Sequence, residues 1–271
     1  MMNEMLKIEG LRSGYSKDPI LDDISLSINK GELISIIGPN GCGKSTLLKS
    51  LNGNLKKMGG CIYLDGSEIQ KYTPKQLAQR MSVLSQVNIS PDDMTVERLV
   101  KFGRVPYQNW FFSPMSDEDK RIVEDAMEST GIIGYRERTL TSLSGGERQR
   151  VWIAMSLAQQ PELFLLDEPT TYLDICYQFE IMELLKHLNE TRHMTIVMVL
   201  HDLNQAVKYS DRLVIMKKGR IYNIGDPGDT VNEQMLRDVF SLECTINRDE
   251  KGNMAVIPTG FVKERKLKLN K

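Results

Sequence analysis

The chain has 271 residues, of which 41% are hydrophobic and 26% charged, and its formal net charge is −1. These values predict a soluble globular protein with one large domain, or one domain with a lobe and a tail. The near-neutral charge gives no electrostatic reason to expect nucleic acid as a partner. No apolar run reaches the ~18 residues that a membrane span needs. The N-terminus shows no secretory signal, so any membrane role is expected to come through a partner.

The four cysteines lie far apart in the sequence, without the C-x-x-C spacing of a metal site. This pattern predicts free thiols in a reducing cytoplasm, with neither a disulfide framework nor a bound metal.

Hydrophobic patterns predict the elements in chain order. Residues 5–9 and 20–28 alternate apolar and polar side chains, as half-buried antiparallel strands do. Residues 33–37 form a nearly unbroken apolar run, which predicts a strand buried on both faces. Similar buried strands are predicted at 81–85, 163–166, 195–200 and 213–216. Helical stretches separate most of them, so we expect an α/β core with a mainly parallel sheet.

The stretch from about residue 91 to residue 142 is predicted to be an α-helical subdomain inserted in this core. Residues 95–103 and 116–130 have helical spacing, and the second segment opens with Ser116 and Asp119 in a capping pattern. Beyond residue 226 we expect a helix over 229–240 and short strands near 244–247 and 254–257. The predicted domain therefore spans residues 1–240, and residues 241–271 form a C-terminal extension with a basic tail.

A glycine-rich loop with the pattern G-x-x-x-x-G-K-[ST] follows the strand at 33–37. Its residues are Gly38, Pro39, Asn40, Gly41, Cys42, Gly43, Lys44, Ser45 and Thr46. Such glycines let backbone N–H groups curl around phosphates at the positive end of the next helix. Lys44 adds a cation, and the Ser45 hydroxyl is the expected Mg²⁺ ligand. The alternative is a glycine turn of chance sequence, but the flanking strand and helix favour a nucleoside triphosphate site.

Two adjacent carboxylates, Asp167 and Glu168, end the apolar strand at 163–166. Asp167 fits a ligand of Mg²⁺, held directly or through water. Glu168 fits a general base, or a group that orients water, for attack on the γ-phosphate. An acidic pair at the surface end of a strand is the alternative, and the glycine loop makes it the weaker one.

Residues 143–149 read L-S-G-G-E-R-Q, with Ser144, Gly145, Gly146 and Glu147 at a predicted helix start. The segment resembles the signature motif of the ATP-binding cassette (ABC) ATPases. In that family the signature closes over ATP held by the glycine loop of a partner subunit. The resemblance covers about residues 4–240. It implies a P-loop NTPase fold with an N-terminal antiparallel β region, ATP hydrolysis, and a homodimer with two composite sites.

The same resemblance assigns roles to four further residues. Gln86 resembles the Q-loop glutamine, which contacts Mg²⁺ or the attacking water. His201 resembles the switch histidine on the γ-phosphate, and Asp174 resembles the D-loop aspartate that communicates across the dimer. Tyr15 stands where the family places an aromatic ring that stacks on adenine. The alternative for each is an ordinary packed or hydrogen-bonded residue at a strand end, but their order and spacing favour the family roles.

The segment T-V-E-R-L-V-K-F-G-R-V-P-Y, residues 95–107, is similar to the ATPases of iron–siderophore, haem and cobalamin importers, with Val105 as a small departure. The resemblance implies a peripheral subunit on the cytoplasmic face of the cell membrane. Its partners would be two integral-membrane permease subunits, with a periplasmic or extracellular solute-binding protein acting indirectly. The run 110–112, W-F-F, would pack within the helical lobe or face the permease.

Two alternatives to this importer remain open. The transported solute could instead be zinc, manganese, molybdate or an unrelated compound. The chain could also be a soluble ABC protein of DNA repair, translation or cluster assembly. Against the latter, the sequence has no second glycine loop, no long heptad insertion and no basic face.

Overall fold

The computed structural model describes residues 4–108, 115–250, 252 and 254–262. The chain divides into two compact units. The carboxylate unit, as we name the first, consists of Met1–Lys7, Ser27–Glu32 and Ile62–Met198. The phosphate-loop unit consists of Ile8–Leu26, Leu33–Cys61 and Val199–Lys271. The apolar run 110–112 and the basic tail 263–268 lie outside the described residues.

In chain order the strands are β1 (Glu4–Ser13), β2 (Leu21–Asn29), β3 (Leu33–Ile37), β4 (Lys57–Leu64), β5 (Ser67–Glu68), β6 (Met81–Leu84), β7 (Leu163–Asp167), β8 (Thr195–Val199), β9 (Arg212–Lys217), β10 (Arg220–Gly225), β11 (Leu242–Arg248) and β12 (Met254–Phe261). The α-helices are α1 (Lys44–Leu51), α2 (Pro74–Arg80), α3 (Val96–Lys101), α4 (Asp117–Ser129), α5 (Gly145–Ala158), α6 (Ile175–Arg192), α7 (Leu203–Tyr209), α8 (Pro227–Thr230) and α9 (Glu233–Met235). Among the described residues, no helix is long and apolar enough to cross a membrane.

An antiparallel N-terminal sheet has the strand order β2-β1-β4-β5. Strands β1 and β2 confirm the two that alternation predicted, and Ile24, Leu26 and Ile28 of β2 are buried. Strand β4 was not predicted, because two glycines interrupt its apolar pattern. Gly60 of β4 has φ +78°, and a Cβ there would lie 2.4 Å from the carbonyl oxygen of Gly10. Glycine is therefore required where β4 passes this backbone.

Within the carboxylate unit, three strands are neighbours in the order β8-β7-β6. Strands β6 and β7 run parallel, with Met81 opposite Leu163. All of β8 and the first four residues of β7 are buried. These strands confirm the predicted parallel core, because apolar side chains cover both of their faces.

The predicted helical subdomain also lies in the carboxylate unit, where α3, α4 and α5 pack together. Ser116 caps α4 as predicted, since its Oγ accepts the backbone N–H of Asp119 at 3.1 Å. Within the described part of residues 91–142, the only strand-like pairing is an isolated bridge between Thr95 and Thr139. The helical character is thus confirmed, while the domain limits at 142 and 240 stay predictions.

The structure explains the G-R-V-P-Y segment physically. Arg104 is 4% exposed, and its guanidinium pairs with Asp119 at 2.7 Å. It also donates to the carbonyl of Ala158 at 2.8 Å and lies 3.9 Å from the ring centroid of Tyr107. A buried charge is stable when it is paired and hydrogen-bonded in this way. Val105 is 54% exposed, so its departure from the resembling sequences disturbs no core packing.

In the phosphate-loop unit the strand order is β10-β9-β3. Strands β3 and β9 run parallel, and β9 and β10 antiparallel. All five residues of β3 are buried, as its apolar run predicted. Strand β10 was not predicted, because none of its residues is buried and the apolar run typical of the core strands is absent.

The prediction of one helix over 229–240 is wrong. The segment contains the short helices α8 and α9 and a π-helical turn, Leu236–Phe240. Asn232 interrupts the helix because its backbone is extended, with φ −143° and ψ 167°. Its side chain caps α9 by accepting the N–H of Met235 at 2.9 Å. Beyond this segment, β11 and β12 confirm the short strands predicted near 244–247 and 254–257, and the two strands pair antiparallel.

Candidate nucleotide site

The glycine loop joins β3 to α1, and two of its glycines are sterically required. Gly38 has φ +154°, and a Cβ there would lie 2.4 Å from the carbonyl oxygen of Met216. Gly43, the N-cap of α1, has φ +107°, and its Cβ would lie 2.8 Å from Leu21 Cδ2. The cap gives α1 no side-chain hydrogen bond, and the first turn has no acidic residue. The start of α1 therefore suits an anion as the partner of its N–H groups.

Lys44 places a cation inside this loop. Its side chain is 6% exposed, and Nζ donates to the carbonyl oxygens of Gly38 at 2.8 Å and Pro39 at 3.3 Å. These two acceptors are neutral, so a buried ammonium here gains from an added anion. Asn40 and Gly41 are exposed, Pro39 and Ser45 are half-buried, and Thr46 is buried on α1.

Cys42 anchors the loop through its backbone. Its carbonyl accepts the N–H of Gly219 at 3.0 Å, and its own N–H donates to Pro39. The thiol is buried, and this burial raises the pKa of Cys42. Cys42 is thus a packed member of the loop, as its lack of a predicted phosphate role implied.

Tyr15 and His201 lie at exposed positions of the phosphate-loop unit. Tyr15 is 60% exposed, and Lys49 Nζ of α1 lies 5.7 Å from its ring centroid. The ring therefore lies near the helix that follows the loop, and its exposed surface is available for stacking. His201 follows β8 and is exposed. Asp202, the next residue, caps α7 by accepting the N–H of Gln205 at 2.9 Å.

In the carboxylate unit, β7 delivers Asp167 and Glu168 to its carboxyl end, where both side chains are half-buried. Glu168 has φ +55°, an uncommon backbone conformation for this residue type. Its Oε2 accepts Nε2 of Gln86 at 2.6 Å and Oγ1 of Thr171 at 3.0 Å. The structure thus brings together two predicted site residues that are 82 positions apart. Strained backbone with a fixed side chain is typical of functional positions.

The signature residues begin α5 in the carboxylate unit. Ser144 is the N-cap: its Oγ accepts the N–H of Glu147 at 3.3 Å, while Glu147 Oε2 accepts the N–H of Ser144 at 2.7 Å. This reciprocal pair is a capping box. The backbone hydrogen bond from Ser144 lowers the pKa of Glu147. Ser144 and Gly145 are exposed, whereas Gly146 is buried.

Two residues that sequence reasoning missed complete these arrangements. Thr171 contacts Glu168 twice across the turn that begins at the positive φ of Glu168: its N–H donates to the Glu168 carbonyl at 3.2 Å, and its Oγ1 donates to Oε2 at 3.0 Å. Tyr177 of α6 contacts the signature: its hydroxyl lies 3.4 Å from Ser144 Oγ. Asp174 caps α6 by accepting the N–H of Tyr177 at 3.0 Å. Thr171 begins the T-Y-L-D segment that carries the D-loop resemblance, but the sequence assigned it no role, and no motif marks Tyr177.

Residues 21–171, more than half of the chain, match the family model described as ABC transporter. The chain belongs to this family. It is an ABC-type ATPase that binds nucleotide, so the fold and the resemblance predicted from its motifs are confirmed.

Individual relatives cover nearly the whole ABC chain. It is 47% identical over 260 residues to the petrobactin import ATP-binding protein FpuD of Bacillus anthracis, covering 96% of this chain and 95% of the relative. It is 44% identical over 254 residues to the iron(3+)-hydroxamate import ATP-binding protein FhuC of Bacillus subtilis, covering 94% of each. A solved ABC transporter of metal-chelate type, in an inward-facing conformation, matches with a TM-score of 0.83 and 28% identity. That match covers 95% of this chain and 98% of the other.

Proposed function

We propose that this ABC ATPase energises import of a metal chelate, of the iron–siderophore class, through a partner permease. The two relatives support this: both are import ATP-binding proteins, and they match over nearly their full lengths. Their names give two different solutes, petrobactin and iron(3+)-hydroxamate, at similar identity, 47% and 44%. Sequence identity over the whole chain therefore supports a class of solute, but it does not select one solute within that class. Haem and cobalamin are the other chelates implied by residues 95–107.

The geometry that best supports hydrolysis is the contact between Gln86 and Glu168. A carboxylate at the end of β7 with a fixed rotamer is placed to accept a proton from water, and Gln86 and Thr171 supply that fixation. On the loop side, Lys44 and the N–H groups at the start of α1 would bind the β- and γ-phosphates. Tyr15 would stack on adenine, and His201 would donate to the γ-phosphate.

The proposed ligands of Mg²⁺ are Ser45, Asp167 and Gln86. A hydroxyl, a carboxylate and an amide oxygen are hard donors, which fit Mg²⁺. Among the described residues, no cluster of three or more His, Cys, Asp or Glu side chains could hold a metal by itself. The remaining ligands of the cation would be substrate phosphates and water, as Mg²⁺ prefers. When bound, Mg²⁺ would neutralise charge that develops on the phosphate oxygens.

We further propose a homodimer with two composite sites. Ser144 and Gly145 are exposed at the start of α5, so they can reach a phosphate outside their own unit. The signature of one chain would then meet ATP held by the Lys44 loop of its partner, with Asp174 at the contact. A second copy of the same sequence supplies the required surface.

Mixing two inactive chains tests the composite sites. Lys44→Ala removes the loop cation, and Ser144→Arg blocks the signature by bulk and adds a positive charge at a helix N-terminus. A heterodimer of the two would contain one intact site. We expect it to occlude one labelled ATP and to recover part of the hydrolysis. Heterodimers that form but occlude no ATP would contradict shared sites.

Coexpression with a permease from the same genome tests the transport role, with the subunit expected at the cytoplasmic face of the membrane. The ATPase should copurify with the permease, and an iron chelate delivered by the solute-binding protein should raise ATP hydrolysis in liposomes. Zinc, manganese, molybdate and haem serve as competing substrates. If none of these solutes raises the rate and no permease copurifies, the soluble ABC alternative replaces import.

A further inference from the structure

We propose that Tyr177 is a positioning residue, which sets the hydroxyl of Ser144 for a phosphate and links it to Asp174. The inference deepens the proposed function, because it assumes that Ser144 donates to ATP bound by a partner chain. All four residues involved, Ser144, Gly146, Asp174 and Tyr177, belong to the carboxylate unit. Tyr177 itself is half-buried and touches no substrate, so its effect would act through Ser144.

The ring of Tyr177 fixes the first turn of α5. A Cβ at Gly146 would lie 2.2 Å from Cδ1 and 2.4 Å from Cγ of this ring. Real Cβ atoms do not approach aromatic carbons so closely, so the ring and a side chain at position 146 exclude each other. Gly146 is therefore required here by contact with its own chain, in addition to any need for close approach to phosphate. The first turn of α5 thus packs directly against the ring of Tyr177.

The hydroxyl of Tyr177 lies where it can either accept a hydrogen bond from Ser144 or donate one to it. Ser144 Oγ accepts the N–H of Glu147 at 3.3 Å, and its own proton points toward the Tyr177 oxygen at 3.4 Å. This separation is longer than an ordinary O–H···O bond, and contacts in substrate-free sites commonly shorten when substrate binds. When a phosphate oxygen accepts the hydrogen bond from the Ser144 hydroxyl, the phenol O–H of Tyr177 can turn and donate to Ser144 Oγ. In this chain of two hydroxyls, the hydrogen bond from Tyr177 to Ser144 would strengthen the hydrogen bond from Ser144 to the phosphate.

Asp174 connects this pair to the predicted D-loop. Its Oδ1 accepts the N–H of Tyr177 at 3.0 Å, which fixes the first turn of α6. The two elements proposed to meet the partner's nucleotide are thus joined by one side chain. A shift of Asp174 on dimer closure would move the tyrosine, and with it the hydroxyl that holds Ser144.

A double-mutant cycle tests the proposal in the full chain. Tyr177→Phe removes the hydroxyl and keeps the ring, and it is made with Ser144 intact and in a Ser144→Ala background. Tyr72→Phe is the matched control, because Tyr72 OH donates to the carbonyl of Leu64 at 2.8 Å in another part of the unit. We expect Tyr177→Phe to lower kcat about two- to tenfold, the effect of one net hydrogen bond. Binding of a fluorescent ATP analogue to the single chain should not change.

Two quantities are measured for each member of the cycle. The first is kcat, and the second is the ATP concentration that traps the dimer when Glu168→Gln is also present. In the Ser144→Ala background, Tyr177→Phe should change neither quantity, since its target is gone. Equal losses with and without Ser144, or a kcat matching that of Tyr72→Phe, would overturn the positioning role. Weaker single-chain nucleotide binding would overturn it too. A parent chain that hydrolyses no ATP would instead refute the proposed function.

Discussion

The glycine loop and the signature both lie at the start of a helix, but the two helix starts differ in their side-chain caps. Helix α1 has no side-chain cap, and the buried Lys44 beside it bonds only to loop carbonyls in the described contacts. Helix α5 carries its own capping box with Glu147, and Ser144 Oγ lies 3.4 Å from the hydroxyl of Tyr177. One end thus suits an anion as it stands, whereas the other must exchange partners before it can serve one. We therefore expect the loop to bind nucleotide in the single chain, and the signature to bind it only after its present contacts change.

The largest effect should come from neither helix end but from Glu168, the carboxylate that follows β7. Glu168→Gln should lower ATP hydrolysis by roughly 10²–10⁴-fold, because a positioned base is lost. ATP should still bind to the loop, and the variant should trap an ATP-bound dimer, measured by size-exclusion chromatography. Glu162→Gln, just before the first residue of the same strand, is the control and should leave turnover unchanged. A Glu168 variant within twofold of the parent rate would show that this carboxylate is not the base.

The second effect separates the loop from the signature directly. Lys44→Ala should weaken ATP binding to the single chain by roughly ten- to a hundredfold, since a charge-assisted contact is lost. Ser144→Ala should leave that affinity unchanged, because its phosphate is expected on the partner. Titration with a fluorescent ATP analogue measures both, and the exposed Lys71→Ala is a control for charge. Equal losses of ATP affinity in Lys44→Ala and Ser144→Ala would show that the two helix starts do not differ in nucleotide binding.

The smallest effect concerns the capping box and pH. The pKa of Glu147 is lowered by the hydrogen bond from the Ser144 N–H, so its stabilisation is present above the ordinary value of 4.5. It is lost as the pH falls through the folded-state pKa. Glu147→Gln keeps an acceptor but does not titrate. The parent should have the higher free energy of unfolding at pH 7, and the difference should shrink below about pH 4.5 in urea titrations. A constant difference from pH 7 to pH 3.5 would exclude a charged cap.

The sequence predicted those parts of the fold that depend on local apolar runs. Strands β3, β7 and β8 are buried along almost their whole length, and a short continuous apolar run is typical of a strand with both faces covered. Strands β4 and β10 were not predicted, because neither has the unbroken apolar run of the core strands. The helix predicted over 229–240 failed at one residue, Asn232, whose side chain favours a cap over helix continuation.

For the candidate site, sequence predicted residues whose chemistry is carried by a motif. It did not predict the contact between Gln86 and Glu168, because 82 residues separate them and only the neighbouring strands bring them together. Thr171 and Tyr177 could not be found, since one depends on a positive φ and the other on packing between α5 and α6. The roles of the site residues themselves remain predictions until the variants are measured.

The 2.6 Å contact between Gln86 and Glu168 also joins the proposed base to a surface that another protein could touch. Gln86 is followed by Val87 and Ile89, which are 68% and 87% exposed. We expect a protein that binds these two side chains to shift Gln86 and, through its amide, to change the orientation of the Glu168 carboxylate. The rate of hydrolysis would then respond to a partner at this surface through one hydrogen bond.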